Sequence, residues 1–287
     1  MAKFNSSAVS NIDQSTVEQS GEQYPVISFH SGDPAQKKAG GVSYQGGWFI
    51  SEDAAPIDMT ECGWEKDSFV NRDGEEIPGY WAAKIQVAVI HQRKRWLVNG
   101  QAYTWKQYEE AAKAGNPRGH HQYMVVIKNA EALGQFVLTL KGHAGMAFSG
   151  NRNYANTGAL SCFNRTVIAA ANTLTKPQKW PFRAFWLPVG SAKTSKGEPM
   201  FVEVGKSPNV TKIVLPLPIG LPEKAAGVSL DDYYVGDDVL AQVNQIFTET
   251  EAWASAWDSI DASKKGDDKA TVEDAEVTEE DLAAQGL

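Results

Sequence analysis

Residues 82–98 read AAKIQVAVIHQRKRWLV, and the interpretation of the whole chain starts from this stretch. Apolar residues occupy every second position from Ile85 to Val89, and the side chains of an extended chain point alternately to opposite faces. The pattern therefore predicts a long β-strand with one apolar face. Towards its end the stretch becomes basic on both faces, because residues 93–95 are consecutive cations and Trp96 follows them.

The alternation predicts that one face of this strand carries Lys84, Gln86, Lys94 and Trp96. Cations beside an indole are what a surface needs to hold a phosphate backbone and to stack a base. The alternative is a strand that runs out of the core into a solvated, positive end, which is common in proteins. This stretch alone leaves both interpretations open.

The composition is that of a strand-rich globular protein. Of the 287 residues 42% are hydrophobic, and nine Trp, nine Tyr and eleven Phe accompany 25 Gly and 13 Pro, which favour strands and turns. No run of 18 apolar residues is present, so we expect no membrane span. Residues 1–14 lack the apolar core of a signal peptide, and we expect a cytoplasmic protein in which Cys62 and Cys162 are buried thiols rather than a disulfide.

Charge is segregated along the chain. The net charge is −8, which by itself argues against nucleic acid as a partner. Residues 79–213, however, contain 18 Lys and Arg against 5 Asp and Glu, whereas the rest of the chain contains 9 basic and 30 acidic residues. Such a basic middle is an electrostatic footprint of a nucleic-acid-binding protein, unless the acidic flanks fold back over it and cancel its field.

The chain divides into three parts. Residues 1–23 are polar and without periodicity, and we expect a disordered arm. Residues 24–258 should form a single β-rich globular domain, and residues 259–287 a disordered acidic tail. Within the domain we expect strands at 24–30, 42–50, 82–98, 122–128, 134–143, 179–190, 200–204 and 210–217. Residues 116–121 and 145–156 are expected to be loops.

Turn and helix signals complete the prediction. Asn99-Gly100 is the strongest hairpin signal in the chain and should turn the basic strand back on itself. Apolar residues at helical spacing predict a central helix at 157–175, a shorter one at 104–114 and a C-terminal one at 238–258. The expected fold class is mostly β with a few helices, a β-rich α+β fold.

Motifs of enzymes are weak in this sequence. Residues 190–196, GSAKTSK, lack the second glycine that a phosphate-binding P-loop has before its lysine, and no GxSxG elbow is present. The clustered histidines His120, His121 and His143 lack the close pairing of zinc ligands, and we expect His91, His120 and His121 at the surface or at strand ends. We therefore expect no enzyme, no cofactor and no metal site.

A basic, strand-rich body with an acidic tail resembles the single-stranded DNA-binding proteins of bacteria and phages. The resemblance rests on the basic and aromatic stretches 84–96 and 179–186, the helix at 157–175 between strands, and the tail 258–287. It implies an elaborated OB-like barrel, and a tail that recruits replication or recombination proteins. The bacterial tails end in an acidic run with a Pro-Phe tip, whereas this chain ends Ala-Ala-Gln-Gly-Leu.

The sequence therefore predicts sequence-independent binding of single-stranded DNA in phage or prophage replication and recombination, in the cytoplasm of a bacterial host. We expect Lys84, Arg93, Lys94, Arg95, Arg152, Arg183, Lys193 and Lys196 to contact phosphates, and Trp96, Tyr154 and Trp186 to stack bases. The acidic tail is expected to compete with DNA for these cations. The sequence leaves open the preference for DNA or RNA and whether the protein forms a homo-oligomer.

Two other classes of protein fit parts of the sequence. A virion or assembly protein can also be aromatic, glycine-rich and strand-rich. A metal-dependent nuclease is suggested by Glu203 and Lys206, which faintly resemble the acid and lysine of a nuclease strand, although their spacing is off by one. The first class should oligomerise without nucleic acid, and the second should degrade single strands with magnesium or manganese.

Overall fold

The long strand expected over residues 82–98 is present as Lys84–Val98 in the computed structural model of the protein. The structure describes residues 24–31, 46–70, 75–150, 154–174, 179–191, 193, 200–206 and 209–258. Its strands are β1 (Val26–His30), β2 (Gly47–Ser51), β3 (Glu65–Val70), β4 (Glu76–Ala82), β5 (Lys84–Val98), β6 (Gln101–Thr104), β7 (Arg118–Ile127), β8 (Gln135–Lys141), β9 (Leu187–Ser191), β10 (Val202–Lys206), β11 (Asn209–Ile213) and β12 (Pro216–Pro218).

Ten of these strands form one mixed sheet. Its order is β12-β9-β5-β7-β8-β1-β2-β4-β3, with β6 added to the end of β5, and β10 and β11 form a separate hairpin. β1 and β8 run parallel, and the other pairs are antiparallel. Among the described residues no pairing joins β3 to β12. The mostly-β α+β class is confirmed, but the described strands do not close into a barrel as the OB-like expectation required.

Six α-helices lie within the described part of the chain. They are α1 (Tyr108–Ala114), α2 (Gly142–Ser149), α3 (Ala159–Phe163), α4 (Ala169–Leu174), α5 (Asp237–Glu249) and α6 (Glu251–Ser255). A π-helical turn, Asn164–Ile168, joins α3 to α4, so the helix predicted at 157–175 is present as one nearly continuous element. The predicted C-terminal helix is also present, divided at Thr250 into α5 and α6.

Helix α2 occupies part of the segment that the sequence indicated to be a glycine-rich loop. Its small residues let it press onto the sheet, because a Cβ at Gly145 would lie only 2.4 Å from Cδ2 of His121. Helix α3 approaches α2 equally closely, since a Cβ at Gly158 would lie 2.3 Å from the Cα of Gly150. Tertiary packing therefore overrides the low helix propensity of glycine here.

A β-bulge in β5 decides which side chains share a face. The pairing of β5 with β7 shifts register between Val89 and His91, so Ile90 is an extra residue. One inserted residue reverses the alternation beyond it. Lys94 and Trp96 consequently lie on the face of Val87. Arg93 and Arg95 lie on the opposite face, with Ala88, Lys84 and Gln86. The expected face of Lys84, Gln86, Lys94 and Trp96 is therefore wrong.

The two faces of the sheet have different partners. We call one the inner face, where residues of β5, β7 and β8 pack with α2, α3 and the π-helical turn in the largest apolar cluster. We call the other the C-terminal face, where Ala88, Ile90, Met124 and Val126 pack with Val243 and Ile246 of α5. Reversal at the bulge sends Arg93 and Arg95 to the C-terminal face.

Two further expectations are wrong. Residues 118–121 of the loop expected at 116–121 belong to β7, and His120 and His121 are buried rather than at the surface. The strand expected at 179–190 begins with a 3-10 turn, Phe182–Ala184, and only Leu187–Ser191 is a strand. In the part of the chain that the structure describes, no helix is both long and apolar enough to span a membrane.

Candidate nucleic-acid interface

Basic side chains from three strands meet on the C-terminal face. Arg95 of β5 is opposite His120 of β7, and His120 is opposite Lys141 of β8. Arg93 is two residues from Arg95 on the same face, and Arg118 is two residues from His120. Directly opposed residues of adjacent strands have Cβ atoms about 5 Å apart, so Arg95, His120 and Lys141 are close neighbours, and Arg93 and Arg118 flank them on the same face. We call Arg93, Arg95, Arg118, His120 and Lys141 the basic face.

The positive field of this face acts on the pKa of His120. Burial lowers that pKa well below its usual value, and Arg95, Lys141, His121 and Arg93 lower it further. His120 is therefore neutral at physiological pH. The pKa of His120 thus reflects how close these side chains lie to its imidazole.

A hydrogen-bond network fixes the two arginines on the sheet. Arg93 donates to Oε1 of Gln122 from Nε at 2.9 Å and from Nη2 at 2.6 Å. Arg95 donates from Nε to Nδ1 of His120 at 3.2 Å. Gln122 and His120, the partners of the two arginines, share a third partner. Oγ1 of Thr139 lies 3.1 Å from Nε2 of Gln122 and 3.1 Å from Nε2 of His120. Because Nδ1 of His120 accepts, its Nε2 carries the proton and donates to Thr139.

Aromatic rings of the C-terminal helices cover this part of β5. Phe247 stacks on His91, with ring centroids 4.5 Å apart. The guanidinium carbon of Arg93 lies 4.0 Å from the ring centre of Trp253, and that of Arg95 lies 4.2 Å from the ring centre of Trp257. His91, Arg93 and Arg95 thus each contact an aromatic ring from the C-terminal part of the chain. The basic face is therefore partly covered.

Arg183 reaches the same helices from the other side. Its guanidinium carbon lies 4.0 Å from the ring centre of Phe247, and its Nε donates to Oδ1 of Asn244 at 2.7 Å. Phe247 is 37% exposed, so this contact lies at the surface. Arg183 therefore lies near His91 of β5, because both side chains contact Phe247, and its side chain is held by α5.

Lys94 and Trp96 form a separate cluster on the inner face. The rings of Trp96 and Trp105 stack with centroids 4.1 Å apart at 9°, and Nε1 of Trp96 donates to the carbonyl oxygen of Trp105. Nζ of Lys94 lies 5.6 Å from the ring centre of Trp105, and partial burial lowers the pKa of Lys94. The structure therefore puts these two predicted residues behind the sheet from Arg93 and Arg95.

Lys84 lies far from the basic face. Nine residues of extended chain separate it from Arg93, a distance of about 30 Å. It lines a separate open cleft of about 280 Å³ together with Lys128. The continuous surface expected from Lys84 to Trp96 is therefore not present on the strand.

The remaining predicted residues do not join the basic face. Trp186 is 3% exposed inside the apolar cluster of the C-terminal face, so its expected role as a base-stacking surface residue is wrong for this conformation. Tyr154 is half-buried and its hydroxyl lies 3.2 Å from Nδ1 of His143. Lys193 is exposed. Arg152 and Lys196 lie outside the described residues.

Sequence reasoning missed Arg118, His120 and Lys141. The alternation of β8 placed Lys141 on its outward face, so that residue could have been found from the pattern. Arg118 and His120 were assigned to a loop because Pro, Gly and two histidines interrupt the apolar pattern before β7. The bulge that turns Arg93 and Arg95 towards them leaves no sequence signal.

The nuclease alternative depended on Glu203 and Lys206. Glu203 is exposed and lies 3.6 Å from Nζ of Lys212 across the β10–β11 hairpin. Within the described ranges no group of three or more His, Cys, Asp or Glu residues could hold a metal ion.

The chain was also compared with known proteins. Protein-family models, curated protein sequences and solved structures contain no match to it.

Proposed function

We propose that the protein binds single-stranded DNA without base specificity, in phage or prophage replication or recombination, through the basic face. The observation that carries the proposal is the convergence of Arg93, Arg95, Arg118 and Lys141 around His120 on three adjacent strands. Cations held this close together attract a chain of phosphates, because binding releases the counterions of the nucleic acid.

The kind of surface favours single strands over duplexes. The basic face is part of a sheet, and rings of the C-terminal helices lie beside its arginines. A single strand exposes its bases for stacking on such groups, and this contact tolerates any sequence. The cytoplasm of a bacterial host is the compartment in which such strands would arise.

The acidic tail belongs to the proposal as a competitor and as a recruiting segment. Trp257 lies on the basic face, and the acidic stretch 259–287 follows two residues later in the chain. The tail is therefore attached to the described chain close to the cations that would hold phosphates. Replication or recombination proteins are the partners that we expect the tail to bind when DNA displaces it.

Fluorescence anisotropy with labelled oligo-dT tests the proposal. Across about 50 to about 300 mM salt, the logarithm of the association constant should fall linearly with the logarithm of salt concentration. Arg118→Ala and Lys141→Ala should each weaken binding and each reduce the slope by about one unit or less. Lys113→Ala, on the exposed side of α1, removes the same charge away from the basic face and is the matched control.

The outcomes separate the proposal from its rivals. Absence of binding at low salt would overturn it. Equal loss in the Lys113 variant would move the site away from the basic face. Cleavage of the oligonucleotide with magnesium or manganese would favour a nuclease, and DNA-independent oligomers in size-exclusion chromatography with poor DNA binding would favour an assembly protein.

A further inference from the structure

Trp257 is a buried tryptophan outside every apolar cluster of the described residues. It is 8% exposed, yet it belongs to none of the five clusters that make up the described core. Among the described residues its ring contacts are with three basic side chains: Arg93, Arg95 and His120. The ring therefore packs against two guanidinium groups and an imidazole, and does not belong to an apolar cluster.

The groups around this ring are arranged as a recognition site for a planar ring. The guanidinium carbons of Arg93 and Arg95 lie 4.3 Å and 4.2 Å from the ring centre of Trp257. The imidazole of His120 lies 5.0 Å away, measured between ring centroids. Arginine planes stack on aromatic faces and on nucleobases in the same way.

The site is held in place without the tryptophan. Gln122 accepts two hydrogen bonds from Arg93, and His120 accepts one from Arg95. These partners belong to β7 and are themselves bonded to Thr139 of β8. Removal of Trp257 therefore leaves the three groups anchored to the sheet.

The backbone near this ring adds an oxygen contact. Nη1 of Arg93 donates to the carbonyl oxygen of Trp253 at 3.2 Å. Arg93 therefore contacts a ring and an acceptor oxygen of one segment, and a nucleotide offers the same two kinds of group in its base and its phosphate. The C-terminal segment thus presents to the basic face the two features that a nucleotide presents.

We propose that Arg93, Arg95 and His120 form a nucleobase-binding subsite, which Trp257 occupies in the free protein. This inference rests on the proposed function and deepens it, since it identifies where a base is stacked and what must leave first. The segment that has to move is short, because α6 has five residues and only Thr250 separates it from α5. Trp257 blocks the subsite with an uncharged ring, so its effect on DNA binding is distinct from that of the charged tail.

Two measurements test the subsite. In anisotropy with oligo-dT, Trp257→Ala should bind about five- to tenfold more tightly than the unmodified protein, a gain in keeping with the stacking of one base. The gain should persist at about 300 mM salt, because release of a ring is not screened by ions, unlike release of the tail. Trp105→Ala removes a tryptophan from the inner face and should bind like the unmodified protein.

Adenosine 5′-monophosphate and ribose 5-phosphate then distinguish a base subsite from a phosphate site. The cavity left in Trp257→Ala should bind the nucleotide and raise the midpoint of thermal unfolding, while ribose 5-phosphate should have little effect. Trp257→Phe keeps a smaller ring and should lie between the two proteins in oligo-dT affinity. Circular dichroism of each variant verifies that the sheet is intact.

The possible results divide clearly. Weaker or unchanged oligo-dT binding by a folded Trp257→Ala protein, or equal binding of the two small phosphates, overturns the subsite and leaves the proposed function standing. Oligo-dT binding absent from every variant overturns the proposed function itself. Tighter binding that vanishes at high salt would assign the gain to the tail and also overturn the subsite.

Discussion

Arg95 and His120 are joined across β5 and β7 by a hydrogen bond of 3.2 Å in which the guanidinium Nε donates to the imidazole Nδ1. The bond fixes the proton of His120 on Nε2, which then donates to Thr139. The neutral imidazole of His120 thereby positions the guanidinium of Arg95 on the sheet.

Thr139→Val tests the importance of this network for stability. Valine has almost the shape of threonine but lacks the oxygen that lies 3.1 Å from both His120 and Gln122. Two polar groups would lose a partner in a buried place, and we expect a loss of about 1–3 kcal/mol in the free energy of unfolding from urea denaturation. Thr173→Val, on an exposed helical position, is the control and should change stability by less than about 0.5 kcal/mol. A loss as small as that of the control would contradict the network.

Gly145→Ala tests the close approach of α2 to the sheet. The added Cβ would lie 2.4 Å from Cδ2 of His121, a ring that is itself fully buried and cannot move aside. Alanine favours helix by about 1 kcal/mol, but overpacking costs typically about 1–3 kcal/mol, so we expect a net loss of stability. Gly227→Ala meets nothing nearer than 3.9 Å and is the control. Thermal unfolding measures both, and a stabilised Gly145→Ala protein would show that the contact is looser than described.

Much of the fold follows from local patterns that the structure retains. Asn99 and Gly100 have φ values of 50° and 79°, as a two-residue hairpin turn with positive φ at both positions requires. Apolar residues of β8 alternate as expected, and the helical spacing at 157–175 gives α3, the π-helical turn and α4. In these segments local propensity and tertiary packing agree, so the sequence alone is sufficient.

The candidate site depends on relationships that single segments do not encode. Arg93 and Arg95 share one face of the sheet, and which face that is depends on the bulge in β5, which is set by the register with β7. His120 and His121 have polar side chains, yet both are buried because helices cover both faces of β7. Trp186 was predicted to be exposed because basic residues surround it in sequence, whereas α5 packs over it in space. Pairing register and coverage by distant helices therefore limited the prediction.

Two buried histidines predict a loss of stability in mild acid. Burial, aided by Lys94, lowers the pKa of His121 to about 3, and burial with the charge of Lys141 does the same for His30. Between about pH 6.5 and about pH 3 the unfolded chain binds these protons and the folded chain does not, so stability falls as pH falls. Each histidine should cost about 2 kcal/mol between pH 7 and pH 5.

Urea denaturation at several pH values measures this dependence. His121→Gln should reduce the slope of unfolding free energy against pH by close to one proton in that range, whatever it does to stability at neutral pH. The slope is the informative quantity, because both ring nitrogens of His121 lack a hydrogen-bond partner among the described residues and glutamine changes other contacts as well. An unchanged slope would show that His121 takes up its proton in the folded state.

Deletion of residues 262–287 tests the proposed competition between tail and DNA. The deleted stretch contains eight acidic and three basic residues, and the chain enters it five residues after Trp257 on the basic face. Its removal should tighten oligo-dT binding at about 50 mM salt, and the gain should shrink at about 300 mM because ions screen the tail as they screen the phosphates. A full-length variant with the eight acids changed to Asn and Gln separates charge from bulk and should reproduce the gain. Weaker binding after deletion would show instead that the tail contributes to the DNA complex.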